Sequence, residues 1–245
     1  MTIRGPFPAI LARRGIAPTL ASESIFRWAA RWGTLDAVTG QAATLVRAST
    51  ATAIDSLGVT YTAGHSAPRW EVRSELLGLR LSTDDLTWAA NWTPRTLTAA
   101  VSLNEQGTRT TSGAGLLYVG NAGQTGARLV IDASSNQYRA TIHNGTTSQS
   151  VSLATSTPTT GQMATVAVQL EDTGGNQRVR LLLRVAGVDT VTAWSSTVAR
   201  AAAWGTASAV RLNRVGSAGT QGSTWVRDVT IVPGLASLDD VAERL

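Results

Sequence analysis

Two histidines and a scatter of carboxylates are what this sequence offers for catalysis, and their spacing does not suit it. His143 precedes an Asn-Gly pair and His65 lies in the run before Pro68. Neither has a partner at metal-ligand spacing on a helix. Glu71 and Glu75 form the one carboxylate pair that invites comparison with a glycosidase. On one continuous strand they would share a face about 13 Å apart, too far for either hydrolytic geometry. The absence of cysteine removes thiolate catalysis, disulfides and cysteine-ligated zinc together. The expectation is a protein that is not an enzyme, with no catalytic, cofactor-binding or metal-ligating residue assigned. Calcium stays open as a cofactor through the oxygen donors Asp132, Asn136, Asn213 and Asp228, although such residues commonly serve turns.

Tryptophan carries the other chemistry. Eight tryptophans stand against two phenylalanines, so large rings with a polar edge do the work usually shared among aromatic types. Such rings fill cores and subunit interfaces when each N–H finds an acceptor. Exposed ones stack on sugar rings. Trp88 and Trp92, four apart with Asn91 between them and Pro94 behind, are the candidates for a glycan contact.

The elements that must position these residues read as β-structure. Leu97–Leu103 alternates at period two, and Leu116–Val119 and Leu129–Ile131 are short strands between glycine-rich turns. Tyr138–His143, Asn144-Gly145 and Thr146–Leu153 read as a hairpin whose Asn-Gly pair predicts a type I′ turn. Met163–Leu170 places Val166, Val168 and Leu170 on one face, and Thr173–Asn176 turns the chain. In the next strand Val179, Leu181, Leu183 and Val185 face one way. Arg178, Arg180 and Arg184 face the other, as a solvated or partner-facing row. Further strands are expected at Val188–Trp194, Ala209–Asn213 and Thr224–Val232. Residues 21–32 are read as strand rather than helix. Ser237 caps a closing helix whose Leu238, Val241, Ala242 and Leu245 fall on one face, with Asp239 and Asp240 in its first turn.

The chain of 245 residues is long enough to support a core without metal or disulfide. Its 21 basic residues are all arginine, which a GC-rich genome or selection for interfaces would each produce. Of the net charge of +5, residues 1–47 carry +4 and the rest +1. Residues 1–20, broken by Gly5, Pro6, Pro8, Gly15 and Pro18, read as an extended arm. Its apolar and basic residues Phe7, Ile10, Leu11, Arg13, Arg14 and Ile16 are expected to dock on a neighbour in an assembly. The arm is too dilute in charge for nucleic acid. The run Phe7–Leu11 is too short for a signal peptide, and no span is long enough to insert in a membrane.

One stretch points to a family. Arg47-Ala-Ser-Thr-Ala-Thr, then Asp55-Ser-Leu-Gly58-Val59, Pro68-Arg69-Trp70 and Leu76-Leu77 resemble, in that order, a module of bacteriophage virion proteins. The module accompanies a concanavalin A-like, or laminin-G-like, jelly roll. The glycine turn after Arg180–Val188, the strand holding Asp228-Val229, the Pro233 bend and the closing helix are similar to the end of such a domain. The resemblance covers roughly residues 44–245. It implies an all-β antiparallel sandwich over 86–245 ending in helix 237–245, a connector over 44–85 and the arm over 1–43. It implies a structural protein of a phage particle, as capsid decoration, head fibre or tail protein, located in the virion. Its partners would be other virion proteins and further copies of itself, as a homo-oligomer. The alternative is a glycan-binding, receptor-recognising adhesin whose partner is a host-surface glycan.

Overall fold

The computed structural model describes residues 24–29, 37–41, 43–46, 52–54, 60–62, 69–73, 76–80, 85–90, 95–105, 114–121, 127–134, 136–155, 162–200, 208–212 and 224–245. In chain order the strands are β1 (Phe26–Ala29), β2 (Thr44–Val46), β3 (Thr52–Ile54), β4 (Thr60–Thr62), β5 (Arg69–Arg73) and β6 (Leu76–Arg80). There follow β7 (Asp85–Ala89), β8 (Leu97–Glu105), β9 (Ala114–Asn121), β10 (Ala127–Ser134), β11 (Gln137–Asn144) and β12 (Ser148–Ala154). The last are β13 (Gln162–Asp172), β14 (Asn176–Val185), β15 (Val188–Val191), β16 (Val198–Ala199), β17 (Ser208–Leu212) and β18 (Thr224–Pro233), then helix α1 (Leu238–Ala242).

Two antiparallel sheets stack face to face, the jelly-roll sandwich the sequence predicts. The first runs β15-β14-β13-β8-β18-β6-β5, with β1 added on β18 and β16 on β14. The second runs β12-β11-β10-β9-β17-β7-β2, and β3 pairs with β4 apart from both. The interval 44–85 therefore contributes strands to both sheets. Of residues 21–32, those at 24–29 are described, and there the strand reading is met by β1, whose Phe26 and Trp28 point into the core.

Period-two alternation explains the layers. Val166, Val168 and Leu170 of β13 and Val179, Leu181 and Leu183 of β14 are buried between the sheets. They meet Leu129 and Ile131 of β10 and Tyr138, Ala140 and Ile142 of β11 in the same core. At about 25 cal/mol per Å2 of apolar surface removed from water, this layer is the main stabilising term.

A second, smaller core lies on the outer face of the first sheet. Ala100, Ala167, Leu182 and Val232 pack there beneath Leu238 and Val241 of α1. The linker into the helix is tied down by the sheet: Thr98 Oγ1 donates to Gly234 O and accepts from Ala236 N, and Gln169 Nε2 donates to Ala236 O. The predicted cap is present as a capping box. Asp240 N donates to Ser237 Oγ at 3.1 Å and Ser237 N donates to Asp240 Oδ2 at 3.0 Å. The helix is shorter than expected: Ala242 is exposed at its end, and Leu245 packs on the small core from beyond it.

Hydrogen bonds from the Ser237 hydroxyl and N–H hold the Asp240 carboxyl below its usual range. A carboxyl depressed in the fold contributes stability above its unfolded pKa, near ~3.9, and that stability is lost as pH falls through the folded pKa. Ser237→Ala is expected to cost about 1 kcal/mol at pH 7 and less in acid. Urea midpoints at the two pH values check this.

Of the two glycine turns, Thr173–Asn176 turns the chain as expected, while the Asn144-Gly145 turn departs from expectation. At the β11–β12 hairpin Asn144 N donates to Thr147 O, which makes Gly145 and Thr146 the central pair. Gly145 alone has positive φ (+101°), the pattern of a II′ turn rather than I′. Asn144 instead uses its side chain, Oδ1 accepting from the N–H groups of Thr146 and Thr147. Turns with positive φ at both central residues are Gly174-Gly175, between β13 and β14, and Ala186-Gly187, between β14 and β15.

Candidate functional site

The outer face of β13 and β14 carries the arginine row, and the structure gives each guanidinium a partner. Arg178 Nε donates to Glu171 Oε2 and Arg180 Nε donates to Gln169 Oε1, both across the β13–β14 pair. Arg184 grips Asp189 of β15 in bidentate fashion, at 2.6 and 2.7 Å, and reaches Asp239 of α1 at 2.7 Å. Those bonds hold Asp189 below the usual carboxylate range and raise Arg184 further above its own. The face is therefore an organised polar surface on the sheet, with Arg178 and Arg184 ion-paired and Arg180 held by the neutral Gln169 amide.

Over this row lies Trp194. Its ring centroid is 4.8 Å from the guanidinium carbon of Arg178 and 4.6 Å from that of Arg180. The chain beyond β15 is held against β14 by side-chain oxygens. Thr192 Oγ1 accepts from Leu181 N at 2.9 Å and Ser195 Oγ accepts from Val179 N at 3.1 Å. Thr192 N and Ser195 N in turn donate to the carbonyls of Leu181 and Val179. These four bonds bracket Trp194 and fix its place on the outer face.

Among the tryptophans whose side chains are described, Trp194 is the one that reaches solvent, since Trp28 and Trp88 are buried. An indole with the planar donors Arg178 and Arg180 stacked over it and the acceptor Glu171 beside them has the parts that grip a sugar: an apolar ring for its C–H groups and polar partners for its hydroxyls. Gln169, by contrast, is 2% exposed and spends its amide on Arg180 and Ala236. Arg184, about 13 Å along the strand from Arg180, lines a depression of about 350 Å3 with Met163, Thr165, Ala186 and Gly187.

The glycan contact expected at Trp88 is corrected by its burial: the ring is 1% exposed. It meets Phe26 edge-on at 5.2 Å and Trp28 at 6.0 Å, joining the two sheets from within. Trp92 lies outside the described residues, as do the arm positions Phe7, Ile10, Leu11, Arg13, Arg14 and Ile16, together with His65 and Asn213.

Of the catalytic candidates, His143 is the one whose side chain is described. Glu71 belongs to β5, which ends at Arg73, and β6 pairs back on it from Leu76. Glu75 lies outside the described residues. His143 Nδ1 accepts from Gly145 N at 2.8 Å, serving the hairpin. Burial, then Arg128 directly opposite, lower its pKa. Asp132 accepts from Arg139 Nε at 3.0 Å, yet its burial outweighs that bond and raises its pKa. Asp132 and Asp228 sit in different sheets, and Asn136 is exposed at a turn. Among the described residues no three acidic or histidine side chains gather as a metal site.

Sequence reasoning placed Trp194 at the end of a strand and drew nothing from it. The signal that could have found it is the spacing of Thr192 and Ser195 around an aromatic, next to an edge strand.

No family model matches this sequence, and no curated protein matches it. Solved structures do. Botulinum neurotoxin type C, whose uptake into cells depends on interaction with two ganglioside molecules, superposes with a TM-score of 0.54 at 12% identity, over 89% of this chain and 49% of that one. The serotype D binding domain gives 0.52 at 10%, over 90% and 50%. The binding domain of neurotoxin DC in complex with SialylT gives 0.53 at 10%, over 89% and 49%. This chain spans about half the length of these three structures. The likeness is one of fold: an all-β sandwich shared with receptor-binding domains.

Proposed function

We propose that this chain is a glycan-binding adhesion module that acts without catalysis and holds its ligand on the outer face of β13 and β14. The observation that carries the reading is Trp194, held partly exposed with Arg178 and Arg180 stacked on its ring, on a sheet face that also presents Glu171. Likeness of fold to domains that engage gangliosides and SialylT supports it. Each exposed cation–π contact is worth about 0.5–1 kcal/mol, so a sugar ring can displace a guanidinium from the indole at small cost. The depression beyond Arg184 extends the surface to an oligosaccharide. Screening the protein on a glycan array is expected to return a defined set of ligands, and Trp194→Ala to weaken them by about tenfold or more. A flat array, or ligands indifferent to Trp194→Ala, would sink the reading.

A second reading is favoured by the Arg47–Val59 run and its companions, which resemble a module of phage virion proteins. Under it the chain is a structural protein of the virion, anchored by residues 1–20 to capsid or tail proteins and displaying the sandwich. Deleting residues 1–20 is then expected to abolish incorporation into particles, and wild-type incorporation would refute the anchor. The two readings are compatible, since an anchored sandwich can also recognise a host-surface glycan.

A further inference from the structure

A β-sheet edge presents unpaired backbone donors and acceptors, and proteins blunt such edges with short strands, charges, prolines or bulges. Three of the four ends of the two sheets follow that rule. β2 has three residues, β15 has four and carries Asp189, and β5 carries Arg69, Glu71 and Arg73. β12 does not. It runs for seven residues, Ser148-Gln-Ser-Val-Ser-Leu-Ala154, with no charge, proline or glycine. Its pairing with β11 is continuous, without a register shift. Ser148, Ser150, Ser152 and Ala154 are exposed, so the outer surface of the strand is open.

The direction of its free backbone groups follows from the turn. Asn144 and Thr147 form the hydrogen-bonded pair that closes the hairpin. Hydrogen-bonded pairs alternate along an antiparallel ladder, so Ile142/Gln149, Ala140/Val151 and Tyr138/Leu153 bond inward. The N–H and C=O groups of Ser148, Ser150, Ser152 and Ala154 therefore point away from β11, off the edge of the sheet.

We infer that β12 is a docking edge for β12 of a second copy of this chain, joining two seven-stranded sheets into one across a two-fold axis at Val151. The strand is self-complementary in that register. Ser150 lies opposite the partner's Ser152, Ser148 opposite the partner's Ala154, and Gln149 opposite the partner's Leu153. No charge meets a like charge. All four outward-facing residues fall in hydrogen-bonding pairs, giving about eight backbone bonds. The same patch is used on both copies, as a closed two-fold interface requires. The inference is independent of the glycan reading, because β12 lies in the opposite sheet from Trp194.

Sedimentation of the full chain across micromolar concentrations tests it. The parent is expected to be a dimer. The double variant Ser150→Lys with Ser152→Lys sets lysine directly opposite lysine and is expected to be monomeric with an unchanged circular dichroism spectrum. Because the sequence contains no cysteine, Val151→Cys gives a single reporter at the axis. The facing Cα atoms of a non-hydrogen-bonded pair, about 4.5 Å apart, suit a disulfide, so mild oxidation is expected to trap a covalent dimer. If the lysine variant fails to fold, this cross-link decides. A monomeric parent, a dimer untouched by the two lysines in a folded protein, or failure of Val151→Cys to cross-link would overturn the inference.

Discussion

Trp88→Ala is expected to cost about 3–5 kcal/mol, enough to leave a domain of ordinary stability barely folded. The ring is enclosed, and it contacts Phe26 and Trp28 of the opposite sheet, so its loss opens a cavity where the two layers are joined. Partial collapse of the layers recovers some of this, which is why the range is wide. Trp194→Ala, by contrast, removes a half-exposed ring and two surface cation–π contacts, and is expected to cost about 1 kcal/mol. Urea unfolding of the two variants side by side separates them. Equal losses would mean that burial does not distinguish the rings. Under the proposed glycan-binding function the order is expected to reverse, with the folded fraction of Trp88→Ala measured alongside.

Gly120→Ala is expected to be comparably damaging, about 2–4 kcal/mol, although it adds a single methyl. Gly120 has φ +150° and sits opposite Arg128 in the β9–β10 pair. A Cβ there would overlap Ala127 O and lie 2.7 Å from Arg128 Cα. Both are backbone atoms of the neighbouring strand, so relief requires displacing β10 itself. A melting temperature within one or two degrees of the parent would show that the strand yields more easily than a packed sheet should. No change of side chain elsewhere on β10 is expected to rescue the variant.

Local pattern in the sequence was readable wherever one face of a strand is wet. The alternation of Val179, Leu181 and Leu183 with Arg178 and Arg180 identified both the strand and its outward row. Ser237 and the Leu238/Val241 spacing found the helix. The same rule was available at Trp88: Leu86, Trp88 and Ala90 alternate and are all buried. The four-residue spacing to Trp92 drew attention from that period and toward a surface. Turn chemistry misled for a different reason. Asn-Gly favours I′ by backbone preference, but here the Asn144 side chain accepts the turn N–H groups and shifts the central pair by one residue.

What the pattern did not contain is partnership between distant segments. Nothing local in Leu97–Leu103 says that its neighbours are β13 and β18, or that Gly120 is crowded by Ala127. The Trp194 surface was hidden for the same reason. Its arginines were seen as a row, but the ring above them arrives through a stretch that leaves regular strand after Val191 and is held by hydroxyls.

The placement of β18 has a consequence for how the protein is made. β8 is the middle strand of the first sheet, and one of its two sides is filled by β18. Thr98 and Gly234 meet there across 136 positions of sequence. Pairing so remote places folding in the slow regime of high contact order. On a ribosome adding about 5–20 residues per second, β8 waits several seconds with that side bare until residues 224–233 have emerged. Folding during synthesis is therefore expected to stall with a half-sheet exposed, and a chain stopped before β18 to be captured by chaperones rather than to fold.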